Sequence, residues 1–527
     1  MKRSTTIALA AALTICGTIA YPQSKFLKTF QTSAGPSSAS PPSNSISQIA
    51  AADTVLWIGT GKGVSKSLTS AGSWVNYAAD PSFANSGIFA LAVNSDTAWT
   101  STGYEKEVTD ATVQTGSGYT FTVNGGGSWQ HRNQTLDLPS DSILAYGIND
   151  SIYMLPVVVP EQNVTFDISL SAGTVWIASW ASGLRRSTDQ GATWERILLP
   201  ADDQNSISPM DTLWTYAATD TLQLHRIYRR YDPRRNNNML AFGVHAVDND
   251  TIWCGTAGGI NKSTDGGVTW KKFSHQNQLS GIGGNWVIAI DHQIYHGKLR
   301  MWATTWRAND SDEDNGVSYS DDGGISWTNI LAGVKAYDFA FKDSIVYIAT
   351  DDGIFRTEDG GVNFSRFSRM MDQESHQLVA SSPVYSVGVI RDTVFAGTGD
   401  GLASTVDGGT SQFGSEWNVY RTYQPVAGDA SYAYPNPFAP HLGPVRIHYF
   451  SGSGSGSASI SIDIFDYGMN RVRSLVHEAA RPANAEFDEV WDGRDDNGRI
   501  VANGVYFYRI ARMGSDEHSF GKILTIQ

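Results

Sequence analysis

Two stretches of this chain carry side chains dense enough in charge to do chemistry. HRIYRRYDPRR, from His225 to Arg235, sets Arg226, Arg229, Arg230, Arg234 and Arg235 beside Tyr228 and Tyr231, in a chain whose net charge is −14. Guanidinium forks among phenol rings suit carboxylates or anionic glycans, which they hold by charge-assisted hydrogen bonds. The bland alternative is a solvated insertion whose arginines pair with nearby acids. NDSDEDNG, from Asn309 to Gly316, offers Asp310, Asp312 and Asp314 at alternate positions. That is the oxygen-rich spacing of a Ca2+ loop, with its Gly one residue late. Ca2+ is therefore the one ion the sequence brings into question, and no cofactor is required. Trp180 and Trp306 fall in loops, where an exposed indole can stack on a sugar and a buried one anchors the loop.

Catalytic signatures are sparse. GxSxG, HExxH, Walker and dinucleotide fingerprints do not occur in a supporting context. A carboxylate pair such as Asp220 with Glu161 is open to assembly by folding, since glycosidase pairs need only stand about 5–10 Å apart. The acidic balance argues against a nucleic-acid partner, whose footprint would be basic.

The elements that must position these residues are strands. The 527-residue chain is 41% hydrophobic, only 17% charged and rich in Gly (52 residues), a mix that suits a large all-β protein of more than one domain. A polar octet opens at Ser67, Thr122, Ser187, Ser263, Ser320, Thr357 and Thr405, about every 56 residues, a period that signals propellers or solenoids. Between octets the shortest repeat reads AYDFAFKD, SIVYIAT, GIFRT and NFSRF, four β-rich runs split by turn residues. Its second run recurs as TVLWIGT, TVWIAS, TIWCGT and TVFAGT, and its third as GVSKS, GLRRS and GINKS. Labelled a to d, such runs predict a seven-bladed β-propeller over residues 46–423, with room for an eighth blade in Ser142 to Val159 or Leu213 to Tyr231.

Each octet lies between runs c and d. Its third residue (Asp189, Asp265, Asp322, Asp359, Asp407) is an acceptor for the N–H groups of its own turn. Its fifth (Gly191, Gly267, Gly324, Gly361) supplies unusual backbone angles. Its eighth (Trp194, Trp270, Trp327) opens run d as an aromatic wedge. STDGGVTW at Ser263 resembles the Asp-box, or BNR, repeat of sialidases, sortilin-type receptors and photosystem-stability propellers. Thr69, Asn124 and Gln412 depart from that pattern. The resemblance implies a propeller in which these turns are structural and lie away from any pocket. It does not imply sialidase activity, because the arginine triad of that family begins in the first blade and no arginine occurs between Tyr21 and His131. Nor does one ring match the Asp-box endoglucanases, which clasp substrate between two.

In a four-stranded blade the a–b and c–d turns share one face, and the b–c and d–a loops share the other. The a–b turns here are short. Insertions collect in the b–c loops Gly103 to Gly118 and Trp306 to Gly316 and in the d–a connections 131–164, 200–239 and 274–284. The face opposite the octets is thus the expected binding surface.

The two ends carry addresses. Residues 1–20 combine basic residues with an apolar run and small residues before Tyr21, an export signal. Residues 21–45 are a Ser/Pro-rich linker. Of the two cysteines, Cys16 leaves with the signal and Cys254 remains as a small core residue. No later run reaches a membrane span. After a linker at 424–433, alternating runs over 434–527 predict a small β-sandwich. YPNPF at Tyr434, the Gly468 turn, WDGRDDNG at Trp491 and GVYFYR at Gly504 resemble the C-terminal sorting domain of type IX-secreted proteins and the immunoglobulin-like domain of hook-capping proteins. That likeness implies passage across the outer membrane by the type IX machinery, with surface attachment.

The expectation is a secreted or cell-surface protein binding an extracellular glycan or protein. The alternatives are a secreted glycoside hydrolase acting on polysaccharide and an extracytoplasmic assembly factor.

Overall fold

The computed structural model describes residues 28–30, 40–52, 54–67, 73–77, 83, 86–108, 111–213, 217–219, 225–227, 231–308, 310–372, 378–379, 381–421, 431–441, 443–452, 456–483, 485–512 and 518–526. Two compact units divide the chain: Met1–Arg366 with Pro383–Gly399, and Phe367–Ser382 with Asp400–Gln527.

The first unit is a β-propeller. Its fourth blade shows the plan, with Ala241–Ala246, Ile252–Thr256, Gly259–Ser263 and Trp270–Phe273 as antiparallel neighbours in that order. All five residues of the second strand, IWCGT, are buried. A blade strand is covered on both faces by neighbouring blades, so it reads as a continuous apolar run. Among the described residues seven first strands follow this plan: Ile46–Ala52, Gly87–Asn94, Thr165–Ser171, Ala241–Ala246, Trp286–Tyr295, Ala336–Lys342 and Val384–Ile390. Each packs on the next and the last packs on the first, closing a ring. Ser386 Oγ accepts the Ile49 N–H at 2.9 Å across that closure. A closed ring leaves no sheet edge free at its centre. The two stretches with room for an eighth blade each hold a two-stranded hairpin, Ile143–Tyr146 with Asn149–Tyr153 and Ala217–Thr219 with His225–Ile227.

The octet turns fasten one blade to the next. In the fourth blade Ser263 Oγ accepts the Gly267 N–H at 2.8 Å and donates to Asp265 Oδ1 at 2.8 Å. Asp265 in turn accepts the Thr269 N–H and hydroxyl at 2.8 and 2.7 Å. Asp189, Asp322 and Asp359 repeat the arrangement. Asn124 does the same in the second blade through its side-chain carbonyl. The Asn363 backbone and side-chain amides hold the Asp359 carboxyl at about 2. Gly267 has φ +88°, and a Cβ there would stand 2.8 Å from Trp176 of the third blade. Gly324 would meet Phe273 of the fourth blade at the same distance. Trp270 and Trp327 are buried behind these turns, and Trp194 packs on Tyr119 at 5.2 Å between ring centroids.

The expected signal peptide lies outside the described residues. Lys28–Phe30, within the expected linker, pairs with Trp129–Arg132 as an added outer strand of the second blade. Among the described residues no helix is long and apolar enough to cross a membrane.

The second unit pairs Gly401–Val406 with Asn418–Tyr420 and builds two further sheets. One holds Tyr432–Tyr434, Val445–Phe450 and Glu486–Trp491. The other holds Arg471–Pro482, Ser457–Phe465, Gly504–Arg512 and His518–Thr525. Ile447 and Trp491 from the first sheet share a core with Ile462, Tyr508 and Ile523 from the second, as the alternating apolar pattern requires. Asn436 of YPNPF clips the last strand, accepting the Leu524 N–H and donating to the Lys522 carbonyl, both at 2.8 Å. In WDGRDDNG, Asp495 accepts the Asn497 and Arg499 N–H groups, each at 2.9 Å, as an ordinary turn acid. Asp407 of the seventh repeat is buried, and in its turn Thr405 Oγ accepts the Gly414 N–H at 3.1 Å.

Candidate functional site

Every first strand of the ring carries a register shift near its start. In six of the seven one residue is skipped: Ser47, Phe89, Phe166, Phe242, Tyr337 and Tyr385. In the fifth strand the shift spans Ile288 and Ala289. A β-bulge of this kind re-aims the extra side chain. First strands begin at the face that receives the d–a connections, so the bulged side chains lie at that end of the ring.

Five of the six single-residue bulges are aromatic, and they form an arc. Phe89 meets Phe166 at 6.2 Å between centroids, Phe166 meets Phe242 at 5.8 Å and Phe242 meets Trp286 at 5.8 Å. Trp180 packs on Phe242 at 5.1 Å and edge-on to Trp286 at 6.1 Å. Trp286 is the register partner of Trp306, which meets Tyr337 at 5.5 Å, and Tyr337 meets Tyr385 at 5.6 Å. Most of these rings are half-buried, and Tyr385 is 41% exposed. Trp306 also donates from Nε1 to the Ala336 carbonyl at 2.8 Å. Both indoles singled out in the sequence therefore join one surface, serving as loop anchors and as part of an aromatic rim. In the first blade Ser47 and Gln48 occupy this position and donate to the Ile88 and Phe89 carbonyls at 2.6 and 3.0 Å.

A polar cavity of about 370 Å3 opens among b–c and d–a loops of the same face, its lining residues Asn285 and Ala308 close to Trp286 and Trp306 in the chain. It is lined by Asn237, Lys272, Gln276, Asn285, Asp310 and Glu313, among others. Lys272 donates to the Ala201 and Asp202 carbonyls at 3.1 and 2.7 Å. The acidic loop is organised by Glu313, which the sequence did not single out. Its carboxylate is buried and accepts from Asn285 Nδ2 at 2.6 Å, the Ala308 N–H at 2.6 Å and Gln276 Nε2 at 3.0 Å. Asp310, Asp312 and Asp314 are not gathered into a set of metal ligands among the described residues. Asp310 accepts from Gln276, Asp314 accepts from the Asn315 N–H, and Asp312 is exposed.

Just inside the rim, Asp167 and Asp338 follow bulged aromatics. Asp167 Oδ2 accepts the Val244 N–H of the next blade at 2.8 Å, and Asp338 Oδ2 accepts the Val387 N–H at 3.1 Å and the Ser386 hydroxyl at 2.5 Å. Burial pushes both carboxyls up to about 7, against the hydrogen bonds that favour their charged forms.

The arginine-rich stretch turns out differently from its sequence reading. Tyr231 is a correction: it is fully buried in the core, its hydroxyl donating to Gln204 at 3.1 Å, because a phenol flanked by apolar strands satisfies one polar atom and buries the rest. Arg234 forks onto Asp232, with Nη2 to Oδ2 at 2.6 Å. Arg226 lies in the hairpin strand His225–Ile227, its side chain outside the described residues, as are Tyr228, Arg229 and Arg230 altogether. Glu161 pairs with Lys106 at 2.5 Å, while its suggested partner Asp220 is also outside the described residues.

No family model matches the chain, and no curated protein matches it. Similar solved structures include PorZ of Porphyromonas gingivalis, a surface component of the type IX secretion system, at 16% identity and TM-score 0.34. That match covers 90% of this chain but only 64% of PorZ, less than two thirds of its length. YCF48 from Cyanidioschyzon merolae is similar at 15% identity and TM-score 0.40, covering 69% of this chain and 92% of that one. An ancestral GH74 enzyme is similar at 15% identity and TM-score 0.29, covering 91% and 71%.

Proposed function

We propose that this protein is a secreted or cell-surface receptor for an extracellular glycan, which it binds on the face opposite the octet turns. The observation that carries this reading is the half-buried aromatic rim beside a polar cavity of about 370 Å3. Pyranose rings offer an apolar face to aromatic side chains and hydroxyls to amides, acids and amines, so a rim and a polar recess side by side match both. The C-terminal sandwich serves as the export and attachment module of a type IX substrate, as its YPNPF and WDGRDDNG segments suggest.

A second reading, glycoside hydrolysis, draws on Asp167 and Asp338. A carboxyl near 7 is suited to act as a general acid. Against that reading, both carboxylates are engaged by backbone N–H groups of neighbouring first strands, a structural task in every blade that has one.

A glycan array run beside a panel of chromogenic glycosides tests both readings. The receptor reading expects saturable binding to a glycan class, weakened about tenfold or more by Trp286→Ala and by Trp180→Ala, with no turnover. Turnover abolished by Asp338→Asn would replace it with the hydrolase reading.

A further inference from the structure

Deeper in the ring, one cluster of ligating side chains has no part in the rim or the cavity. His245 lies near the end of the fourth first strand, and Asp291 and His292 lie midway along the fifth. These strands pack side by side, and one ligand atom from each of the three residues falls within 4.8 Å of the others. His245 Nδ1 stands 3.2 Å from Asp291 Oδ1, and His292 Nδ1 stands 3.6 Å from the same oxygen. Donor atoms of a tetrahedral site with bonds of about 2.0–2.1 Å are about 3.3 Å apart, between those two values. His245 Nε2 and His292 Nδ1 face each other at 2.7 Å. Two imidazole nitrogens so close share one proton between them; since an ion takes only one nitrogen of each ring, an ion held through His245 Nδ1, Asp291 Oδ1 and His292 Nδ1 displaces this hydrogen bond.

From this geometry we propose that His245, Asp291 and His292 form a binding site for a divalent first-row transition ion of the Zn2+ class. Two imidazoles and one carboxylate are borderline-soft donors that favour such ions over Ca2+ or Mg2+, which take oxygen sets. Asp291 is pre-oriented, because its Oδ1 accepts the His292 backbone N–H at 2.6 Å. The three side chains remain 19%, 40% and 30% exposed in the order His245, Asp291, His292. Three protein ligands with open access leave a fourth position for water or for a donor atom of a bound molecule. The site is independent of what the rim binds.

The test uses the full chain without an affinity tag, stripped of metal and titrated with Zn2+ by calorimetry and with Co2+ by visible absorption. One equivalent of each ion is expected to bind, with ligand-field bands for Co2+ of low coordination number and a Zn2+-dependent rise in Tm that chelator reverses. His245→Ala with His292→Ala is expected to weaken binding by about 100-fold or more, and Asp291→Asn to weaken it less, while His275→Ala, outside the cluster, leaves it unchanged. Circular dichroism establishes that each variant folds. Should the double variant not fold, His292→Asn alone carries the comparison. Absence of one-equivalent binding at micromolar ion, or binding that survives in the folded cluster variants, overturns the proposal.

Discussion

Asp338 and Asp167 carry the clearest electrostatic consequence at the scale of single residues. Each ionises near 7 in the folded chain and near 4 when unfolded. Between those values the folded chain holds a proton that the unfolded chain has released, so stability falls as pH rises through that window. Asp338→Asn removes one such group, and the fall in stability from pH 5 to pH 8 is expected to shrink by on the order of 2 kcal/mol. His245 is held below its ordinary range by burial and acts in the opposite sense below about 6.5, but it is common to both proteins and cancels in the difference. Chemical denaturation at several pH values measures this, and parallel profiles would refute it. The octet acids were legible as turn acceptors because their partners are their own neighbours in sequence. Tyr231 was not legible as core, because its burial depends on strands distant in the chain.

At the scale of elements, the octet turn and the bulge do opposite jobs at the two ends of a blade. The turn is closed by local hydrogen bonds and by a glycine pressed on the preceding blade. Gly267→Ala must accommodate both φ +88° and a Cβ 2.8 Å from Trp176, whereas Gly173→Ala meets φ +79° with nothing within 4 Å. Thermal denaturation should therefore show Gly267→Ala as the costlier change, by about 1–3 kcal/mol beyond the backbone cost that the two share. Equal losses would mean that the contact between blades contributes nothing. The bulge points five aromatics onto one rim, and its trace in sequence is an aromatic in the second or third place of the first run, as in GIFALAV, TFDISL, AFGVHA, AYDFAF and VYSVGV. Strict alternation hides this signal, since the bulge breaks the period of two.

For the whole molecule, the decisive contact is the closure of Val384–Ile390 on Ile46–Ala52. Deleting residues 46–52 exposes the inner edges of the first and seventh blades and removes the apolar cover of both. Such a chain is expected to lose its sharp unfolding transition and to expose Cys254, which is fully buried and whose thiol burial pushes far up. Thiol labelling under native conditions reads this directly: slow for the intact chain, fast for the deletion. An intact transition with protected thiol would show that the ring does not depend on its closure.

By itself the sequence determined the all-β character, the four-stranded blade plan and the octet turns. Each of these rests on local pattern: a period of two within strands, glycine and aspartate at fixed places in turns, and a repeat near 56 residues. Only the tertiary structure decided which side chains meet. The rim gathers aromatics from several repeats, Glu313 rather than Asp310, Asp312 and Asp314 organises the acidic loop, and His245 of one blade reaches Asp291 and His292 of the next. No spacing in the chain encodes these meetings, because the packing of neighbouring blades and loops brings together positions that are tens of residues apart.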